Sequence, residues 1–415
     1  MHIPAFYRIR QRFSASSVTD PAAETSRELG ACSSILSIRP NERVAVGVGS
    51  RGIANLSEVV RAVVDTVRSR GAEPFIVPAM GSHGGATPEG QAAILSHYGI
   101  DEQTMNCRIA AAMEVTSIGH TPEGFEVFFS NCALAADRII AVNRIKPHTG
   151  FEAPVESGPA KMLTIGFGKR KGADYYHRLF LKHSHYAVIR AAAACLLPNI
   201  PPVTCLALVE NERDETAIVK AFGADRLFGE EERLLVAAKS MLPKLPFRKI
   251  DLLIVDEFGK SVSGTGMDQN VIGRTVVGFQ CVPDSPRIAR IYVRDFVNDS
   301  DGNALGIGNA DFISTRLESR IDKRITLTNV ITSCAPEFAR IPPAFNTDKD
   351  AMNAAFHTIF AEPLDAKIVR IRTTLHLEEM LVSAALNDEA ASLPGCEITD
   401  GPFEPEFDAH GNFVE

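Results

Sequence analysis

Val44-Ala-Val-Gly-Val-Gly49 is an unbroken apolar run, and behind it Leu56, Val59, Val60, Val63, Val64 and Val67 recur at helical spacing. A run without polar alternation reads as a strand buried on both faces, and the amphipathic stretch after it as a helix covering one of them. Ser57 is expected to cap that helix and Gly71 to end it. Working outward, the pattern repeats. Residues 74–80 read as a strand and 88–98 as a helix capped by Thr87, and 137–143 and 204–210 read as further strands. Strands alternating with helices imply parallel pairing with helices packed on the sheet, an α/β fold.

Met241-Leu-Pro-Lys-Leu-Pro-Phe-Arg-Lys249 carries two prolines and no periodicity, and reads as a linker. The expected division is therefore 1–247 and 248–415. Beyond it, 251–258 restarts the pattern, with strands also expected at 287–296, 325–330 and 367–373 and helices near 310–317 and 351–360. The second domain is thus a smaller α/β unit, with the active site expected in the cleft between the two. The tail after Leu393 is Pro/Gly-rich and acidic, and is expected to be extended or loosely packed.

The chain has 415 residues, 45% hydrophobic and 23% charged, which excludes a disordered, collagen-like or disulfide-stapled chain. Its 43 basic against 51 acidic residues leave a net charge of −8, unsuited to neutralising phosphates, so no nucleic-acid partner is expected. The eight cysteines show no CxxC pair or metal-ligand spacing, as in a reducing compartment, and the cytoplasm is expected. No window approaches the roughly 18 apolar residues of a membrane helix, and the most apolar helical stretch, 187–197, is interrupted by Arg190. The first nineteen residues carry Arg8, Arg10 and Arg12 without a continuous apolar core, so they read as an ordinary first segment.

In open α/β sheets ligands gather at loops leaving the carboxyl ends of strands, and three such loops are unusual here. Gly47-Val-Gly-Ser-Arg-Gly-Ile53 offers close backbone approach and a guanidinium, Arg51, that can grip a carboxylate with two donors. Gly81-Ser-His-Gly-Gly-Ala-Thr-Pro-Glu-Gly90 sets His83 among glycines, with no apolar face to fill, which suits proton transfer. The third loop follows the 137–143 strand. Asn143-Arg-Ile-Lys-Pro-His-Thr-Gly-Phe151 leads to Glu156-Ser-Gly-Pro-Ala-Lys-Met-Leu-Thr-Ile-Gly-Phe-Gly168 and places His148, Lys161 and His177 along a glycine-rich path. Lys161 among Ala160, Met162 and Leu163 would lose solvation and become nucleophilic, while a surface lysine on a helix is the plainer reading. His183 and His185 read as the surface of an amphipathic helix. Lys260, Asp268, Asn270 and Arg274 occupy a further glycine-rich loop after a buried strand, as either site residues or turn chemistry.

Gly81-Ser-His83, Lys146-Pro-His148, Lys161 and His177 together resemble the nickel-pincer-nucleotide lactate racemase family, most strongly between Val44 and His177. In that family a lysine carries a thioamide-linked nucleotide whose carbon and two sulfurs hold nickel, and a histidine sixteen residues on completes the square plane. Lys161 and His177 keep that spacing. The resemblance implies His83 and His148 as the pair of bases, Lys161 as the covalent anchor with Gly166 and Gly168 beside it, and His177 as the nickel ligand. It also implies Arg51, with Lys260, on the substrate. The implied cofactors are nickel and pyridinium-3,5-bisthiocarboxylic acid mononucleotide, and the implied partners are a small 2-hydroxy acid and the proteins that build the cofactor. The implied activity is a 2-hydroxy-acid racemase or epimerase.

The stretch around Arg51 lacks the acids and the proline found there in lactate racemases, and the family's second-domain lysine falls near Met267, with Lys260 in reach of the same space. A larger acid such as an aldonate is therefore expected as well as lactate-like ones. Two other readings stand beside this one: a hydro-lyase acting on a related hydroxy acid, and a carboxylate-binding homologue without turnover. No membrane partner is expected, and the oligomeric state, homo-oligomer included, is left open.

Overall fold

The computed structural model describes every residue except 1–2, 14–15, 50–51, 150, 278–279, 282–284, 299 and 415. The chain forms two compact units, residues 15–242 and residues 1–14 together with 243–415.

In the first unit a five-stranded sheet runs Glu73–Pro78, Arg43–Val48, Arg138–Arg144, Val203–Glu210, Thr216–Gly223. The first four strands are parallel and the last is antiparallel. The strand alternation sorts the two faces. Val44, Val46 and Val48 meet Leu56, Val59 and Val63 of the helix Leu56–Ser69 on one side, and Ala45 and Ala141 meet Leu163 and Phe167 on the other. Gly47 is a glycine because the Phe167 ring lies against it, where an added Cβ would sit 2.3 Å from a ring carbon.

Thr87 caps the helix Pro88–His97 as expected, accepting from the Gly90 N–H at 3.0 Å. Ser57 does not cap its helix: its hydroxyl donates to the Gly99 carbonyl at 3.1 Å. Asn55 holds that start in a left-handed conformation, φ 56°, while the preceding Ala54 N–H donates to Glu210 at 2.7 Å. The sequence reading also missed the antiparallel hairpin Val115–His120 with Glu126–Ser130, which carries Val127 and Phe129 into the second core.

The second unit is an eight-stranded mixed sheet in the order Ala344–Phe345, Phe312–Ser314, Arg287–Phe296, Lys249–Phe258, Ile368–Ile371, Glu379–Ser383, Phe6–Gln11, Cys396–Phe403. The first five strands are parallel and the last three pairings antiparallel. The expected first domain, 1–247, is corrected here. The strand Phe6–Gln11 leaves the unit that follows it and pairs on both edges with strands near the other end of the chain, burying Ile9. The tail is extended, as expected, but not loose. Cys396–Phe403 is a paired strand, and the Phe413 N–H donates to buried Asp348 at 2.9 Å while its ring lies under Arg370.

Two local readings are also corrected. Residues 325–330 are not a strand but part of the helix Lys323–Thr332, whose Asp322 cap accepts from the Ile325 N–H at 2.8 Å. Only Thr326 and Val330 are buried in it, about one helical turn apart on the same face. The helix expected near 310–317 splits into the strand Phe312–Ser314 and the short helix Thr315–Ser319. Among the described residues no helix is long and apolar enough to cross a membrane.

Candidate active site

The strand Arg138–Arg144 delivers the chain to the loop that holds His148. Two bonds close this loop at its base: Asn143 Nδ2 donates to the Gly158 carbonyl at 2.9 Å, and the Lys146 N–H donates to the Ser157 carbonyl at 3.0 Å. Glu156 organises it from inside. Its carboxylate, 1% exposed, accepts the His148 N–H at 2.6 Å and the Ala153 N–H at 3.1 Å, and Lys239 supplies the counter-charge at 2.7 Å. A buried carboxylate with two amide donors and an ammonium beside it is satisfied.

His148 heads a column of rings. It stacks on Phe151 at 4.3 Å, Phe151 on His185 at 4.1 Å, and His185 on Phe180 at 4.1 Å, while His177 meets Phe180 edge-on at 5.9 Å. His183 is exposed, as read from the sequence, but His185 is half-buried within this column. Burial first, then the charges of Lys161 and His177, hold its imidazole neutral, with the pKa pushed down to about 4. Its sequence signal lay in Phe151, Phe180 and His185, three flat rings too far apart in the chain for periodicity to join them.

Lys161 closes the helical turn Pro159–Lys161, and a π-helical turn, Met162–Gly166, follows at once. Wide turns of this kind are frequent at functional sites. The start of the Lys161 turn is held by Glu231, which is fully buried and accepts the Ala160 N–H at 2.8 Å. Burial pushes that carboxyl up to about 8. Gly158 leaves room for it, since a Cβ there would lie 2.4 Å from Glu231 Oε1. Burial, followed by the charge of Lys161, also lowers the pKa of His177. The Nδ1 of His177 is buried without a hydrogen-bond partner among the described residues.

His83 is exposed at the turn after Glu73–Pro78, its N–H donating to the Met80 carbonyl at 3.2 Å. Lys169 lies beneath that turn, fully buried, and desolvation takes its pKa down to about 8.

Three comparisons with known proteins bear on this arrangement. Residues 32–188 match the lactate racemase N-terminal domain family. The whole fold is similar to the lactate racemase apoprotein of Thermoanaerobacterium thermosaccharolyticum, with a TM-score of 0.53 at 14% identity, covering 88% of this chain and 94% of that one. No curated protein matches the chain.

His83, His148, Lys161, Gly166, Gly168, His177 and the unforeseen His185 and Lys169 all fall inside the segment that matches this family. Ring contacts and charge bring His148, His185, His177 and Lys161 together, and His83 joins them through the backbone, where the Gly81 N–H donates to the Gly166 carbonyl at 3.1 Å. Gly166 and Gly168 have a packing reason to be glycine: a Cβ would lie 2.6 Å from the Ala79 carbonyl oxygen at the first and 2.5 Å from that of Thr164 at the second. Arg51 lies outside the described residues. Lys260 belongs to the other unit, exposed, with its ammonium on Asn329. Met267 is buried in the core of that unit.

Proposed function

We propose that this chain interconverts the stereoisomers of a 2-hydroxy acid by reversible hydride transfer at C2, using a nickel-pincer nucleotide carried on Lys161. The observation that carries this reading is His177. A buried ring nitrogen without a partner is costly, and burial together with the Lys161 charge favours the neutral imidazole, the form that ligates metals. Among the described residues no group of three or more His, Cys, Asp or Glu converges. The donor set therefore suits a group that brings its own soft donors and takes one imidazole from the protein. Lys161 would hold that group covalently and His177 would ligate its metal. When bound, the nucleotide supplies a carbon that accepts and returns hydride.

The remaining chemistry falls to the chain's own side chains. His83 and His148 take the hydroxyl proton as the C2 hydride leaves and give it back as the hydride returns, one for each face of the planar 2-keto acid. The Glu156 bond to its N–H and the stack on Phe151 fix His148, so its ring nitrogens keep one direction. Arg51 is assigned to the substrate carboxylate.

The test is purification from a host that builds the nucleotide, followed by intact mass, nickel content and turnover of single-enantiomer 2-hydroxy acids in D2O. A mass adduct that maps to Lys161 and disappears in Lys161→Ala, near-stoichiometric nickel, and racemisation that retains the C2 protium are expected. Deuterium entering C2 would instead mean a carbanion route, and an unmodified chain from such a host would overturn the reading.

A further inference from the structure

Lys169 combines features that packing alone does not require. It is fully buried, sits at φ 53° in the left-handed region, and donates to the Pro78 carbonyl and, at 3.1 Å, to Gln91 Oε1. Both acceptors are neutral oxygens, so the ammonium does not serve to cancel a contacting carboxylate. An apolar side chain would fill the space without the desolvation cost. Gln91, also fully buried, passes the contact on. Its Nε2 donates to the Gly81 carbonyl at 2.9 Å and, more weakly, to the His83 carbonyl at 3.4 Å.

The other side of the same turn is held by the π-helical segment. The Gly81 N–H donates to the Gly166 carbonyl, and Gly166 lies flush on Ala79. Lys169 is also the first residue of the helix Lys169–Leu179 that carries His177, eight residues or ~12 Å along its axis. One lysine thus stands at the base of the helix that presents His177 and reaches, through Gln91, the turn that presents His83.

We propose that Lys169 is a positioning residue: through Gln91 it fixes the carbonyls of Gly81 and His83, and so the direction of the His83 imidazole relative to the His177 helix. The proposal rests on the reading of His83 as a proton-transfer base.

The test compares Lys169→Met, Gln91→Met and the double variant in two measurements. Hydrogen exchange on the cofactor-free chain reports the turn itself. Amides of residues 81–84 should exchange about tenfold faster in each variant, with the strand Val203–Glu210 unchanged. Turnover by the loaded enzyme should fall by about a hundredfold in kcat with KM within about twofold, and the double variant should be no slower than either single one, because the two residues form one relay. Gln91→Met leaves the lysine bond to Pro78 in place, so it carries the test if Lys169→Met does not fold. Unchanged exchange at 81–84, or an equal rise throughout the sheet, would overturn the proposal. Faster exchange at 81–84 with undiminished kcat would uphold the tether and overturn the role given to His83.

Discussion

Glu231 shows what a single buried carboxyl does to this unit. Its ordinary pKa is 4.5, and burial raises it to about 8. Between those values the folded chain keeps the proton and the unfolded chain has lost it, so this group makes stability fall as pH rises through that window, by at most about 1.4 kcal/mol per pH unit. Glu231→Gln keeps an acceptor for the Ala160 N–H and removes the titration. In urea unfolding, the variant should gain on the native chain steadily from about pH 5 to pH 8, the difference levelling off above that. Curves that stay parallel would mean Glu231 is ionised in the folded state. At this scale the sequence was informative where a residue had no bland alternative: His83 among glycines, and Lys161 sixteen residues before His177. It gave no role to Glu156, Glu231 or Lys169 and put His185 on a helix surface, because each has a partner that no local pattern joins, up to 91 residues away for Lys169.

Helices and strands were legible where burial followed a period and illegible where a polar side chain set the geometry. The Arg43–Val48 strand and the Leu56–Ser69 helix carry their cores in plain spacing. The helix Lys323–Thr332 does not: Ile325, Thr326, Thr328, Val330 and Ile331 favour a strand by propensity, and the Asp322 cap with a narrow buried stripe outweighs them. Asp322→Ala should therefore cost about 1 kcal/mol in thermal unfolding, and local exchange in 323–332 should rise first. A neutral result would place the origin of this helix in its tertiary contacts alone.

For the whole molecule, the α/β class and the change near residue 243 were readable, and the placement of the first strand was not, because nothing in Phe6–Gln11 says which sheet it joins. Ile9 is fully buried in the second unit. Ile9→Ala should cost about 2–4 kcal/mol there. Exchange should quicken in Lys249–Phe258 and Glu379–Ser383 and stay unchanged in Arg43–Val48. A change confined to Arg43–Val48 would put the strand back with the unit that follows it. That same strand also sets a timetable for biosynthesis. Residues 6–11 leave the ribosome more than 360 residues ahead of both their neighbours, Glu379–Ser383 and Cys396–Phe403. At about 5–20 residues per second the nascent chain holds an unpaired apolar segment for some tens of seconds while residues 15–242 fold behind it. The alternating arginines Arg8, Arg10 and Arg12 give that waiting segment a charge that discourages premature pairing.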